Sequence, residues 1–159
     1  MRLLKLSALS SLILFFVSSC ERNFEKGPSS EYVKTEIAMT GAQETPANVS
    51  AATGSLNVFY SKKSKLLQYT FRWSGLADTI VGIHIHGLAP TGYAASIVQN
   101  ILTTRNEAVF PFRGGSYTGT LLVDGARIKE EDLLNHLYYV NIHTKTYPGG
   151  EIRGQIRFQ

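Results

Sequence analysis

Apolar and polar residues alternate along most of this chain. Leu56, Val58 and Tyr60 fall on every second position, as do Leu67, Tyr69, Phe71 and Trp73. Ile83 and Ile85 interleave with His84 and His86. A period of two is the strand signal, because successive side chains leave opposite faces of extended backbone. It predicts strands over residues 54–60, 66–73 and 80–86. It also predicts a first strand over 32–40, with Val33, Ile37 and Met39 in imperfect alternation, and further strands over 96–102, 109–112 (the weakest) and 117–123. Ser61-Lys62-Lys63-Ser64 reads as a hairpin turn, and Gly75, Gly87, Gly92 and Gly125 punctuate the rest. Residues 129–136 are the one helical piece: acidic residues open it, and Leu133, Leu134 and Leu137 share a face. Short, regularly spaced strands with glycine-rich turns predict an all-β antiparallel sandwich or barrel.

The C-terminal hairpin has the most unusual pattern. In residues 137–144, Tyr139, Asn141 and His143 point one way and Tyr138, Val140 and Ile142 the other. In residues 151–158, Glu151, Arg153 and Gln155 oppose Ile152, Ile156 and Phe158. Pro148-Gly149-Gly150 supplies the turn. One face is apolar; the other carries a row of polar groups too dense to be only a solvated surface.

Two chemistries suit that row. His84 and His86 lie about 6.6 Å apart along a strand at roughly 3.3 Å per residue, and imidazoles so placed converge on one ion about 2.0–2.1 Å from each nitrogen. His143 supplies a third ligand, and Glu151 a carboxylate ligand or an acceptor for a ring N–H. Such a set suits Zn²⁺ or Cu²⁺ rather than Mg²⁺ or Ca²⁺. The alternative is a buried structural network of Glu44, Asn141, Glu151, Arg153 and Gln155, with Arg153 paired to Glu151 or Glu44 and the histidines satisfied as core residues. His136, in the helical piece, reads as a surface residue. The aromatic residues Tyr60, Tyr69, Phe71, Trp73, Phe110, Phe112, Tyr117, Tyr138 and Tyr139 raise a sugar-binding face, against the plainer reading of core packing.

Hydrophobic residues make up 43% of the 159 and charged residues 18%, which excludes a disordered chain. The net charge of +4 includes Arg2 and Lys5, which lie in a segment expected to be removed, so a nucleic-acid partner is not indicated. That segment, residues 1–19, has a basic start and an apolar run over 8–17, too short to span a bilayer at roughly 20 residues. Val17-Ser18-Ser19-Cys20 resembles the lipobox of bacterial lipoproteins. The resemblance implies cleavage before Cys20, the chain's single cysteine, and acylation with palmitate-type chains that hold the protein on a membrane. Residues 20–31, with Gly27-Pro28-Ser29-Ser30, read as a flexible tether, and residues 32–159 as one domain. The expected location is a bacterial cell envelope, facing the periplasm or the exterior.

Met39-Thr-Gly-Ala-Gln-Glu-Thr-Pro46, Ser74-Gly75-Leu76, Ile83-His-Ile-His-Gly87, and Tyr139-Val-Asn-Ile-His-Thr144 with Pro148-Gly-Gly-Glu-Ile-Arg-Gly-Gln155 occur in that order. Together they resemble the CHRD domain, named for its occurrence in chordin. The resemblance covers about residues 33–158 and implies an antiparallel, Greek-key-like β-sandwich, immunoglobulin-like or superoxide-dismutase-like, with one short helix. It implies little chemistry, and chordin's growth-factor binding does not transfer. His-x-His on a strand also resembles part of the copper site of copper–zinc superoxide dismutase, but the longer ligand set and the disulfide are missing. No phosphate loop, nucleophile elbow or CxxC is present, so an enzyme is not indicated and a hydrolase ranks last. The expectation is a membrane-anchored binding or structural module with a protein or glycan partner; the alternative is a Zn or Cu protein using the histidine cluster.

Overall fold

Inward-facing side chains on β3 (Leu66–Ser74) set the architecture. Leu67, Tyr69, Phe71 and Trp73 are buried, while Gln68 and Arg72 between them face solvent. Each such fully buried side chain contributes roughly 1.5–3 kcal/mol. The computed structural model describes residues 29–102 and 113–159. Among these the chain forms eight strands and one short helix: β1 (Glu31–Thr40), β2 (Thr53–Ser61), β3, β4 (Ile80–Gly87), β5 (Ile97–Asn100), β6 (Gly114–Leu122), α1 (Glu130–Leu134), β7 (Tyr138–Thr144) and β8 (Ile152–Gln155). The predicted 109–112 strand, Phe110, Phe112, Cys20, and nearly all of the leader and tether lie outside the described residues.

All pairings are antiparallel, and the strands form one sheet in the order β5-β4-β7-β8-β1-β2-β3-β6. The sheet nearly closes on itself. On β5 Gln99 accepts a hydrogen bond from the Tyr69 hydroxyl of β3 (3.0 Å) and donates to the Thr120 carbonyl of β6 (3.2 Å). The apolar faces therefore meet inside: Ile83 and Ile85 of β4, Val140 and Ile142 of β7 and Ile152 of β8 join the β3 aromatics in one core. Tyr60, Tyr69, Phe71, Trp73 and Tyr138 are buried there, with Tyr117 packed against them, so these rings are core and not an exposed sugar platform.

Two strand expectations need correction. Val33 does not share the inward face of Ile37 and Met39; it is 56% exposed. A bulge between Lys34 and Ile37, with Glu36 at φ 54, reverses the alternation, so Tyr32 points inward before it and Ile37 after it. The Glu36 amide left over by the bulge donates to Asn57 Oδ1 at 2.7 Å. β8 is also shorter than the 151–158 run. It pairs with β7 from Ile152 to Gln155 and touches β1 at Thr40↔Arg153.

The Lys62–Lys65 stretch is the expected turn, with Lys62 and Lys65 both paired to Glu130 at the start of α1. Leu133 of α1 is fully buried. His136, expected at the surface, is half-buried, and its carbonyl accepts a hydrogen bond from Gln155 Nε2 (2.6 Å).

Candidate metal centre

The outer face of β4, β7 and β8 is polar in sequence yet mostly buried in the fold, because loops 41–52 and 88–96 cover it. Neighbouring strands place the candidate residues side by side: His86 opposite Tyr139 and Tyr139 opposite Gln155; His84 opposite Asn141 and Asn141 opposite Arg153; Gly82 opposite His143. Alternation on each strand then puts His84, His86 and His143 on one face.

The three imidazoles converge. Their ligand atoms all lie within 4.8 Å of one another, and His84 Nδ1 is 3.1 Å from His143 Nε2. Two nitrogens bound to one tetrahedral ion at about 2.0–2.1 Å stand roughly 3.3 Å apart. One pair already has that spacing, and the widest pair has at most about 1.5 Å to close. Gly82 makes room for this, since a Cβ there would lie 2.9 Å from His84 Cε1 and 3.4 Å from His143 Cδ2.

Hydrogen bonds fix the tautomers. His86 Nδ1–H donates to the Ala95 carbonyl (2.8 Å) and His143 Nδ1–H to the Pro148 carbonyl (3.0 Å). A carbonyl can only accept, so both protons sit on Nδ1 and both Nε2 atoms present lone pairs. His84 Nδ1–H donates to His143 Nε2 (3.1 Å), and Asn141 Oδ1 lies 3.0 Å from the same nitrogen. His86 Nε2 is buried and has no hydrogen-bond partner.

Burial holds all three histidines below the ordinary imidazole pKa. His84 falls to about 4, pushed first by burial and then by His143 and His86; His86 and His143 are lowered chiefly by burial. Near neutrality the cluster is uncharged, the state in which imidazole binds a metal.

The remaining candidates do different work. Glu151 is fully buried away from the histidines: Oε1 accepts from the Ser50 hydroxyl (2.6 Å) and the Ala77 amide (2.9 Å), and Oε2 from the Thr144 hydroxyl (2.6 Å). Its carboxylate thus ties loop 41–52 and the β3–β4 turn to β7, and it does not join the histidine cluster. Arg153, 1% exposed, donates to the Tyr93 carbonyl (2.8 Å), the Pro90 carbonyl (3.3 Å) and Gln155 Oε1 (2.7 Å), and it is hydrogen-bonded to neither Glu151 nor Glu44. The expected carboxylate pairings are replaced by loop carbonyls. Gln155 Nε2 donates to the carbonyls of Ala89 (3.0 Å) and His136 (2.6 Å). Glu44 is 6% exposed with Oε1 unpartnered, and burial raises its carboxyl to about 7.

Sequence reasoning missed several contributors. Tyr139 lies between the two regions: the His86 ring stacks on it (4.8 Å, 3° between planes), and the Arg153 guanidinium carbon lies 3.5 Å from its centroid. Tyr139 shares the alternation of Asn141 and His143, and that signal was available. Asn48 donates to the carbonyls of Gly150 (3.0 Å) and Glu151 (3.1 Å), and nothing in the pattern of loop 41–52 announced it.

With this geometry in view, comparison with protein-family models matches the CHRD domain over residues 35–156. The chain belongs to the CHRD family. Comparisons with curated proteins and with solved structures find no match.

Proposed function

We propose that this CHRD chain is a transition-metal-binding module of a bacterial cell envelope, with Zn²⁺ or Cu²⁺ held by His86 Nε2, His143 Nε2 and, once its proton has moved to Nε2, His84 Nδ1. The observation that carries the reading is His86. Its Nδ1 proton is committed to Ala95, and its Nε2 lone pair is buried beside two other imidazoles with nothing to bond. A buried polar atom without a partner costs about 1–3 kcal/mol, and an ion at the centre of the cluster removes that cost. The all-nitrogen donor set without thiolate or carboxylate supports Zn²⁺ or Cu²⁺. Three protein ligands leave the fourth position of a tetrahedral ion to water or an outside ligand.

Lipidation at Cys20 would place the module on a membrane. Its support is the basic start, the short apolar run and the Val17-Ser18-Ser19-Cys20 motif. Among the described residues no helix is long and apolar enough to cross a membrane.

A second reading, a binding or structural module whose polar row only holds the fold, has support at β8, where Glu151 and Gln155 are fully partnered. Thermal unfolding separates the two. A ligand at a hundredfold excess over its Kd adds about 2.7 kcal/mol, so Zn²⁺ or Cu²⁺ raises the midpoint by roughly 8 °C if it binds the native cluster. An unchanged midpoint with both ions favours the second reading.

A further inference from the structure

We infer that Glu44 is a further residue of this centre: an outer carboxylate, coupled to the histidines through Asn141, that supplies the negative charge a bound dication calls for. This inference rests on the metal reading above. Three neutral imidazoles bring no charge of their own, so an ion there places two positive charges in a buried layer. In the same layer the Glu151 carboxylate is turned away to Ser50, Ala77 and Thr144, while Arg153 acts on His86 and disfavours a cation. Glu44, which Arg153 and Asn141 both act on, is a carboxyl able to offset part of that charge.

Its placement suits that role. Glu44 follows the turn 41–43 and is buried under the β7–β8 turn, where a Cβ at Gly150 would overlap the carboxylate, so glycine lets the turn close over it. Its Oε1 is buried without a partner. Asn141 is the link: it favours the charged form of Glu44, and its Oδ1 lies 3.0 Å from His143 Nε2. The groups acting on Glu44 are Arg153 from β8, Asn141 from β7 and the Thr45 backbone, and Arg153 is the charged one among them. The attraction of Arg153 does not overcome burial, and the carboxyl stands at about 7. Without an ion Glu44 therefore holds a proton through the mildly acidic range. When the dication binds, the carboxyl O–H bond breaks, its electron pair stays on Glu44, and the proton leaves to solvent.

Proton counting tests this. Zn²⁺ is titrated calorimetrically into the untagged protein, in buffers of different ionisation enthalpy, from about pH 6 to about pH 8. The expected release is close to one proton per Zn²⁺ at the acid end, falling toward none at the alkaline end. In Glu44→Gln most of the release is lost, and Zn²⁺ still binds but roughly a hundredfold more weakly at about pH 8, the equivalent of the roughly two pKa units of coupling that near-complete release at about pH 6 requires. Zn²⁺ binding without release, release that grows with pH as from a zinc-bound water, or undiminished release in Glu44→Gln overturns the inference and leaves the metal reading standing. Absence of Zn²⁺ binding defeats both. The Glu44 carboxyl ¹³C shift in the unmutated chain gives the answer without a variant: its titration must move to lower pH when Zn²⁺ is added, and an unmoved titration counts against the role.

Discussion

The two halves of the outer polar face are built on opposite terms. On the β8 side, the three oxygen bonds of Glu151 and both ends of Gln155 are matched, and Arg153 spends its terminal nitrogens on Tyr93, Pro90 and Gln155. On the β4–β7 side, three imidazoles crowd within 4.8 Å and His86 Nε2 has no partner. The same strands, the same alternation and the same covering loops produce both. The difference lies in valence: loop carbonyls take the terminal nitrogens of Arg153 and the amide of Gln155, leaving Arg153 Nε bare, but they cannot satisfy the lone pair left on a neutral imidazole. A satisfied network specifies a fold, whereas a gathered set of lone pairs is a receptor for a cation.

Breaking the satisfied half should therefore cost most in stability. Arg153→Met removes the donors to two loop carbonyls and to Gln155 and is expected to cost about 3 kcal/mol or more. Glu151→Ala strands the Ala77 amide and two hydroxyls and should cost about 2–3 kcal/mol. Urea midpoints with unchanged slope measure both, and losses under about 1 kcal/mol would mean that the row does not hold the loops.

A smaller effect comes through pH. The folded pKa of His84, about 4, is below its ordinary 6.5, so its contribution is complete above 6.5 and drains away as pH falls toward 4. His86 and His143 act in the same direction. Glu44 is raised from 4.5 to about 7, so its contribution is complete below 4.5 and is lost as pH rises to 7. The two trends oppose each other between 4.5 and 6.5. Glu44→Gln removes one of them, and its stability should climb steadily with pH across that window. A flat or falling curve in the variant would contradict the assignment.

Smallest of all should be His86→Phe in metal-free protein. The ring keeps its stack on Tyr139, one bond to Ala95 is lost, and the unpartnered nitrogen disappears. The change is expected to stay within about 1 kcal/mol while abolishing the metal-dependent rise in midpoint. A loss as large as that of Arg153→Met would erase the distinction between the two halves.

Much of this was legible in the chain. Period-two alternation placed the strands and put His84, His86 and His143 on one face, and Pro148-Gly149-Gly150 marked the turn that brings Glu151 back under loop 41–52. What was not legible has one cause: the deciding partners are backbone groups contributed by loops. The carbonyls of Ala95 and Pro148 set the histidine tautomers, and those of Pro90 and Tyr93 take Arg153 from the carboxylates expected to pair with it. Every residue carries a carbonyl, so no side-chain pattern singles these out. The β1 bulge was hidden for a related reason: the reversal occurs at Thr35–Glu36, where neither residue is apolar enough to betray the change of face.

The most direct test is the metal content of the untagged protein by mass spectrometry after exposure to Zn²⁺ and Cu²⁺, beside the His84→Ala/His86→Ala double variant. Near-stoichiometric zinc or copper in the parent and none in the folded variant is the predicted result. A parent that emerges free of metal, or a variant that retains as much as the parent, would contradict the metal centre and leave the polar face as fold architecture alone.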